Sequence, residues 1–200
     1  MLMRWLMMQR QAKPIVMKPH TIVVSMWQIT WCFWLRSIRK IHMQVTLSQM
    51  ELRIAKGVAQ AKMNQNQRNG VTSRGPRDLT IDMRGVCGEL AVCKQYNAYP
   101  DFVIGPHYSG YDLSISDVKI DVKTTKYNPG YLQAKLKKNV KDCDAFILVH
   151  DASPVFTLLG WARSEELLSE SNIKDTGYGP NYNMDSSSLA TMEFFETFID

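Results

Sequence analysis

The chain has 200 residues, 45% of them hydrophobic and 22% charged, which suits a folded domain with a core of its own and excludes a disordered or fibrous chain. Its net charge of +5 is uneven: residues 1–50 hold seven basic side chains and no acid, whereas the other 150 carry 17 basic and 19 acidic ones. The pI near 9.0 therefore belongs to the N-terminal segment and is no argument for nucleic-acid binding by the main domain.

Residues 1–42 differ in kind from the rest of the chain. They are rich in methionine and hold four of the five tryptophans. Thr21–Leu35 (TIVVSMWQITWCFWL) is apolar but 15 residues long, short of the roughly 20 that a spanning helix needs. The segment is expected to be an extension outside the core, with no stable membrane association and a cytoplasmic protein overall. A membrane-associated protein using residues 21–35 is the competing reading. Residues 43–200 are expected to form the domain proper. Cys32, Cys87, Cys93 and Cys143 include no CxxC pair, which points to free thiols rather than a zinc or redox motif.

Leu47-Ser48-Gln49-Met50-Glu51-Leu52 carries a capping box, Ser48 with Glu51, and a hydrophobic staple, Leu47 with Leu52. Met50, Ile54, Val58 and Ala61 predict the buried face of the helix opened by that box, and Asn69-Gly70 predicts its stop. Val71–Arg77 reads as a loop. A second helix is expected from about Met83 to Tyr96, capped by Asp82, with Val86, Leu90 and Cys93 as its stripe and Glu89 beside it. Strands are expected over 102–104, 112–115, 118–124, 131–136, 145–150 and 155–160. A helix should open at Ser164, capped by that serine. Asn181–Ser188 reads as a loop and Leu189–Ile199 as a short helix. The order predicts an α/β (α+β) fold, a mixed central sheet flanked by helices.

The stretch 111–125, YDLSISDVKIDVKTT, is the informative one. A two-residue turn at Ser116-Asp117 pairs Ile115 with Val118 and sets Asp112 opposite Asp121, with Gly110 opposite Lys123. Opposed carboxylates on one face repel and raise each other's pKa. A divalent cation removes that repulsion, and oxygen ligands suit Mg²⁺, Mn²⁺ or Ca²⁺. A solvated hairpin, its acids paired with Lys119 and Lys123, remains the competing explanation.

Gly88-Glu89-Leu90-Ala91, then Asp112, then Asp121-Val122-Lys123, resembles the PD-(D/E)XK nuclease superfamily over roughly residues 82–162. The likeness is to small stand-alone, RecB-like or resolvase-like members of the kind phages encode. Tyr111 stands where the family motif has proline, and the cysteines of its iron–sulfur members are missing. The resemblance implies a restriction-endonuclease-like core and a Mg²⁺- or Mn²⁺-dependent deoxyribonuclease, endo- or exonucleolytic. It implies Asp112 and Asp121 as metal ligands, the Val122 carbonyl as another, and Glu89 as a ligand directly or through water. It gives Lys123 the role of orienting the attacking water or stabilising the transition state; beside two carboxylates the electrostatic role is favoured. DNA is the implied partner, with a homodimer as a further possibility. The alternative is a DNA-binding or assembly protein on the same fold without cleavage.

Around this set, Lys119 and Lys126 are candidate phosphate contacts or plain surface charges. Lys135, Lys137, Lys138 and Lys141 form a basic run suited to the DNA backbone or to solubility. His107, Gln133 and the tyrosines of Gly177–Asn183 are lesser candidates, the last for base stacking.

Overall fold

The computed structural model describes residues 42–70, 78–104, 110–177 and 179–199. The chain divides between Arg39 and Lys40, and every described residue belongs to the second unit. The expected N-terminal extension (all but His42), the loop Val71–Arg77, His107 and Tyr178 lie outside the described residues.

The unit opens with strand β1, Met43–Thr46, which sequence reasoning did not anticipate. Helix α1, Gln49–Arg68, comes next with its capping box in place. The Glu51 N–H donates to Ser48 Oγ (3.2 Å) and the Ser48 N–H to Glu51 Oε2 (2.6 Å), satisfying two donors that a helix start leaves open. Leu47 and Leu52 join one core, as a staple should. The helix ends at Asn69, and Gly70 adopts φ +64°. Its buried face is only partly the predicted one, for Val58 packs on the core. Ala55 and Ala59 are buried, while Met50 is 62% and Ile54 41% exposed. The face is chosen by the neighbouring helix, against which small residues allow a close axis.

Helix α2, Leu79–Gln95, starts four residues before the predicted Met83. Asp78 is the cap and accepts the Thr80 N–H at 2.8 Å. Asp82 falls in the first turn instead, where a carboxylate meets the positive end of the helix dipole. Seven of the residues from Val86 to Cys93 are buried, all but Glu89. A Cβ on Gly88 would lie 1.9 Å from Thr124 Oγ1, so glycine is what lets this helix lie on the strand beneath it.

That strand is β3, Val118–Thr125, preceded by β2, Leu113–Ile115. Their turn residues Ser116 and Asp117 both have positive φ (+47° and +68°), the type I′ geometry that matches strand twist. Ile115 pairs with Val118 and Leu113 with Ile120, the predicted register. Strands β4 (Tyr131–Lys135), β5 (Ala145–Ala152) and β6 (Val155–Arg163) come after it. The main sheet runs β1-β6-β5-β3-β2, with β3 and β5 parallel and the other pairs antiparallel. This is the mixed sheet with flanking helices that the order of elements predicted.

Strand β4 belongs to a second sheet. It pairs with β8, Pro180–Asp185, which pairs with β7, Ile173–Asp175. The predicted loop over 181–188 is therefore half strand. Tyr182 and Met184 supply its apolar face, and the asparagines between them, poor strand formers, hide the signal. No strand forms over 102–104. There the Asp101 carboxylate takes the Val103 N–H at 2.8 Å, a local bond that competes with pairing. Ser164 opens the short helix α3, Ser164–Leu167, but does not cap it; its hydroxyl donates to the Cys143 carbonyl at 2.5 Å. Helix α4 covers Met192–Ile199.

Alternation along the strands sorts side chains into two cores. Ile120, Val122, Ala145, Ile147 and Val149 face the helices. Phe146 and Leu148 face the small sheet, with Leu132 and Ala134. Asp121 and Lys123, out of phase with Ile120 and Val122, belong to the small-sheet side. Among the described residues no helix is long and apolar enough to cross a membrane.

Candidate active site

Asp121 sits mid-strand in β3, 5% exposed. An ionised carboxylate at that depth requires partners, and it has two. The Lys123 ammonium donates to Oδ1, and the Lys138 ammonium donates to Oδ2 at 2.6 Å. Lys138 also donates to the Gly110 carbonyl and lies over the Phe146 ring, 5.6 Å from its centroid. Its side chain is only 16% exposed. Of the basic run assigned to DNA or solubility, then, one member is a buried partner of a predicted catalytic carboxylate. Only proximity in the fold reveals this, since 17 residues separate the two.

Lys123 lies two positions along β3, on the same face as Asp121. Burial works against its charge, but the carboxylates of Asp121 and Asp112 outweigh it and lift the pKa above that of an ordinary lysine. A lysine held protonated in this way suits charge stabilisation and not proton abstraction.

Asp112 stands just before β2, at the edge of β3 beyond the last paired residue. Its Oδ2 accepts the Val122 N–H at 2.7 Å, satisfying a donor that β2 no longer reaches. The N–H and C=O of a strand residue project to the same edge, so the Val122 carbonyl faces this edge as well. Burial first, and then the charges of Asp121 and Glu89, raise the Asp112 pKa from 3.8 to about 6. The charge of Lys123 and the bond from Val122 oppose this and lose. Burial and two neighbouring acids thus disfavour the charged form of Asp112.

Glu89 approaches from the helix side of the sheet. Its carboxylate accepts from Lys62 Nζ of α1 at 3.1 Å. The four predicted side chains therefore do not all face one point. Asp121 and Lys123 share the small-sheet face, Glu89 comes from the helix face, and Asp112 at the strand edge feels both acids.

Three carboxylates and one strand carbonyl form a donor set suited to a hard divalent cation. Burial is the first cause of the raised Asp112 pKa and the charges of Asp121 and Glu89 the next; a divalent cation at this edge would relieve the repulsion among the acids. Two features qualify the geometry. Among the described residues no three acid, histidine or cysteine side chains are gathered as a ready ligand group, and ammonium groups already neutralise Asp121.

Asp121 and Lys123 open onto a cleft of about 1240 Å³ between the edge of the main sheet and the small sheet. Lys135, Lys137 and Lys138 line it, as do Tyr127 and Tyr131. Gln133 also lines it, near the site as predicted. Lys119 and Lys126 lie over the rings of Tyr111 and Tyr127, at 5.6 Å and 5.1 Å. Tyr182 packs on the second core, which leaves it no stacking role. The two cleft tyrosines drew no notice in the sequence, since isolated tyrosines at turns carry no pattern.

Comparison with protein-family models, with curated proteins and with solved structures returns no match for this chain. Its function is to be argued from these side chains.

Proposed function

We propose that the chain is a metal-dependent phosphodiesterase acting on DNA, built on the PD-(D/E)XK plan that Glu89, Asp112, Asp121 and Lys123 resemble. The observation that carries the proposal is the pairing of opposites at one strand edge. A half-buried carboxyl, Asp112, has its pKa raised to about 6, while two positions along β3 from Asp121 a lysine is held charged. Structural ion pairs neutralise acids. Here one acid of three is left unneutralised, as perturbed groups at catalytic sites often are.

Mg²⁺ or Mn²⁺ would be held by Asp112, Asp121 and the Val122 carbonyl, with Glu89 behind a water. The chemistry such an ion supplies is polarisation of the scissile phosphate and a lowered pKa for a bound water. The remaining work falls to the chain. Lys123 faces the phosphoryl oxygens with a permanent charge and stabilises negative charge as it develops there. Lys138, which donates to Asp121 Oδ2 at 2.6 Å, would lose that partner to the ion and would then be a charge available to the incoming phosphate. Lys135 and Lys137 hold the DNA backbone along the cleft.

A second reading, DNA binding without cleavage, is favoured by one observation: both Asp121 oxygens already carry an ammonium group. Cleavage assays on linear, branched and single-stranded DNA with Mg²⁺, Mn²⁺ or EDTA separate the two. Metal-dependent cutting that Asp121→Asn abolishes supports the nuclease. Tight DNA binding with no cutting under any metal supports the second reading.

A further inference from the structure

The cleft beside Asp121 differs from a surface made only to hold duplex phosphates. At about 1240 Å³ it exceeds the roughly 300–1,000 Å³ of a site for one small molecule, so it suits a length of polymer. Its charge is net positive: Lys123, Lys135, Lys137 and Lys138 line it against Asp121 and Asp142, and with Lys123 and Lys138 paired to Asp121, Lys135 and Lys137 are the lysines left to face a ligand. Two aromatic rings stand among these lysines. Tyr127 is 64% and Tyr131 54% exposed, and both line the cleft. Their exposure, with Lys126 over the Tyr127 ring at 5.1 Å, adds neither ring to the two cores. In a polymer-sized cationic cleft it has one evident use, because every nucleic-acid base has a π-face that stacks on an aromatic side chain.

In a duplex those faces are buried in the base stack and offer only their edges. Unpaired bases offer their faces. Lysines for the phosphates and rings for the bases, side by side in one cleft, form the combination that holds a single strand.

We infer that this cleft binds single-stranded DNA, with its backbone along Lys135 and Lys137 and its bases on Tyr127 and Tyr131. This rests on the proposed nuclease reading for the identity of the polymer and adds the strandedness of the substrate. The strand enters past the small sheet and lies with its phosphates toward Lys123 and Asp121. The nuclease so described trims or cuts unpaired ends, flaps or gaps, and leaves intact duplex alone.

The test is binding without cleavage: the full chain in EDTA, titrated into three labelled probes and read by fluorescence anisotropy. The probes are an oligothymidylate, a strand of equal length made of base-free sites, and a blunt duplex. The oligothymidylate should bind at least tenfold more tightly than either of the others. Tyr131→Ala should weaken oligothymidylate binding roughly fivefold to a hundredfold, the range for losing one stacked base, and leave the base-free strand unchanged. Tyr131→Phe, which keeps the ring, should bind as wild type does. Thermal melts of the variants show whether the fold is intact, and Tyr127→Ala provides a second exposed position if one of them melts early. Equal binding of duplex and single strand, or indifference to loss of either ring, overturns the inference. Its failure is separable from failure of the nuclease reading. A protein that binds the single strand and never cuts with metal loses the nuclease and keeps the cleft; one that cuts only duplex does the reverse.

Discussion

Replacing Asp112 with asparagine should make the metal-free protein more stable, although it removes a half-buried, hydrogen-bonded carboxylate. Burial, helped by Asp121 and Glu89, raises the pKa of this carboxyl from 3.8 to about 6. The folded chain therefore holds the Asp112 proton more tightly than the unfolded chain does. Between about pH 4 and pH 6 the folded state carries more protons, and its stability falls as pH rises through that window. The gap corresponds to about 3 kcal/mol at about 1.4 kcal/mol per pKa unit. Asparagine resembles the neutral acid and keeps an oxygen for the Val122 N–H, so it escapes that cost. Asp112→Asn should match wild type near pH 4 and exceed it by about 2–3 kcal/mol at pH 7.5, a rise in melting temperature of roughly 5–10 °C for a domain of this size. Urea unfolding in EDTA at pH 4, 5, 6 and 7.5 measures both curves. A wild-type curve flat across this range, or a variant less stable at pH 7.5, would refute the claim that the fold disfavours the charge of Asp112.

Asp121 should respond in the opposite sense. Asp121→Asn strips the counter-charge from Lys123 and from the largely buried Lys138, and should cost roughly 1–3 kcal/mol in EDTA, one acceptor oxygen being kept. Lys138→Met should cost a similar ~1–3 kcal/mol, because Asp121 keeps Lys123 as a partner; differential scanning calorimetry compares the two variants. Gly88→Ala drives a methyl onto Thr124 Oγ1 and should lose about 1–3 kcal/mol or more. Adding Thr124→Ala should return part of that loss, and a double mutant no better than the single one would show that the contact is not the cause.

The parts of the fold that local chemistry encodes were legible in the sequence. Ser48 with Glu51, and Asn69-Gly70, mark the ends of α1 because caps are set by neighbours a few residues apart. The register of β2 on β3 was legible because a one-residue slip would turn Ile120 and Val122 out of the core. What long-range packing decides was not. The face of α1 depends on α2, and β1 takes its place only because β6 offers an edge. Asp82 reads as the cap of α2, but the helix starts a turn earlier, with Asp78 as its cap. In the site, Asp121 and Lys123 share a face because β3 alternates, and that was visible. Lys138 on Asp121 was not, for it depends on how the segment between β4 and β5 folds back. Nor was the separation of Glu89 from Asp121 by the sheet, since the order of motif residues does not say which face a helix covers.

The most direct test of the account is cleavage of labelled single-stranded DNA by wild type and by Asp112→Asn, side by side in Mg²⁺ and in EDTA. Asp112 is costly to the metal-free fold, and the account explains its presence by the ion it holds. The predicted result is Mg²⁺-dependent cutting by wild type, none in EDTA, and none by Asp112→Asn, although that variant is the more stable protein. Cutting by Asp112→Asn at the wild-type rate, or wild-type cutting unaffected by EDTA, would contradict it.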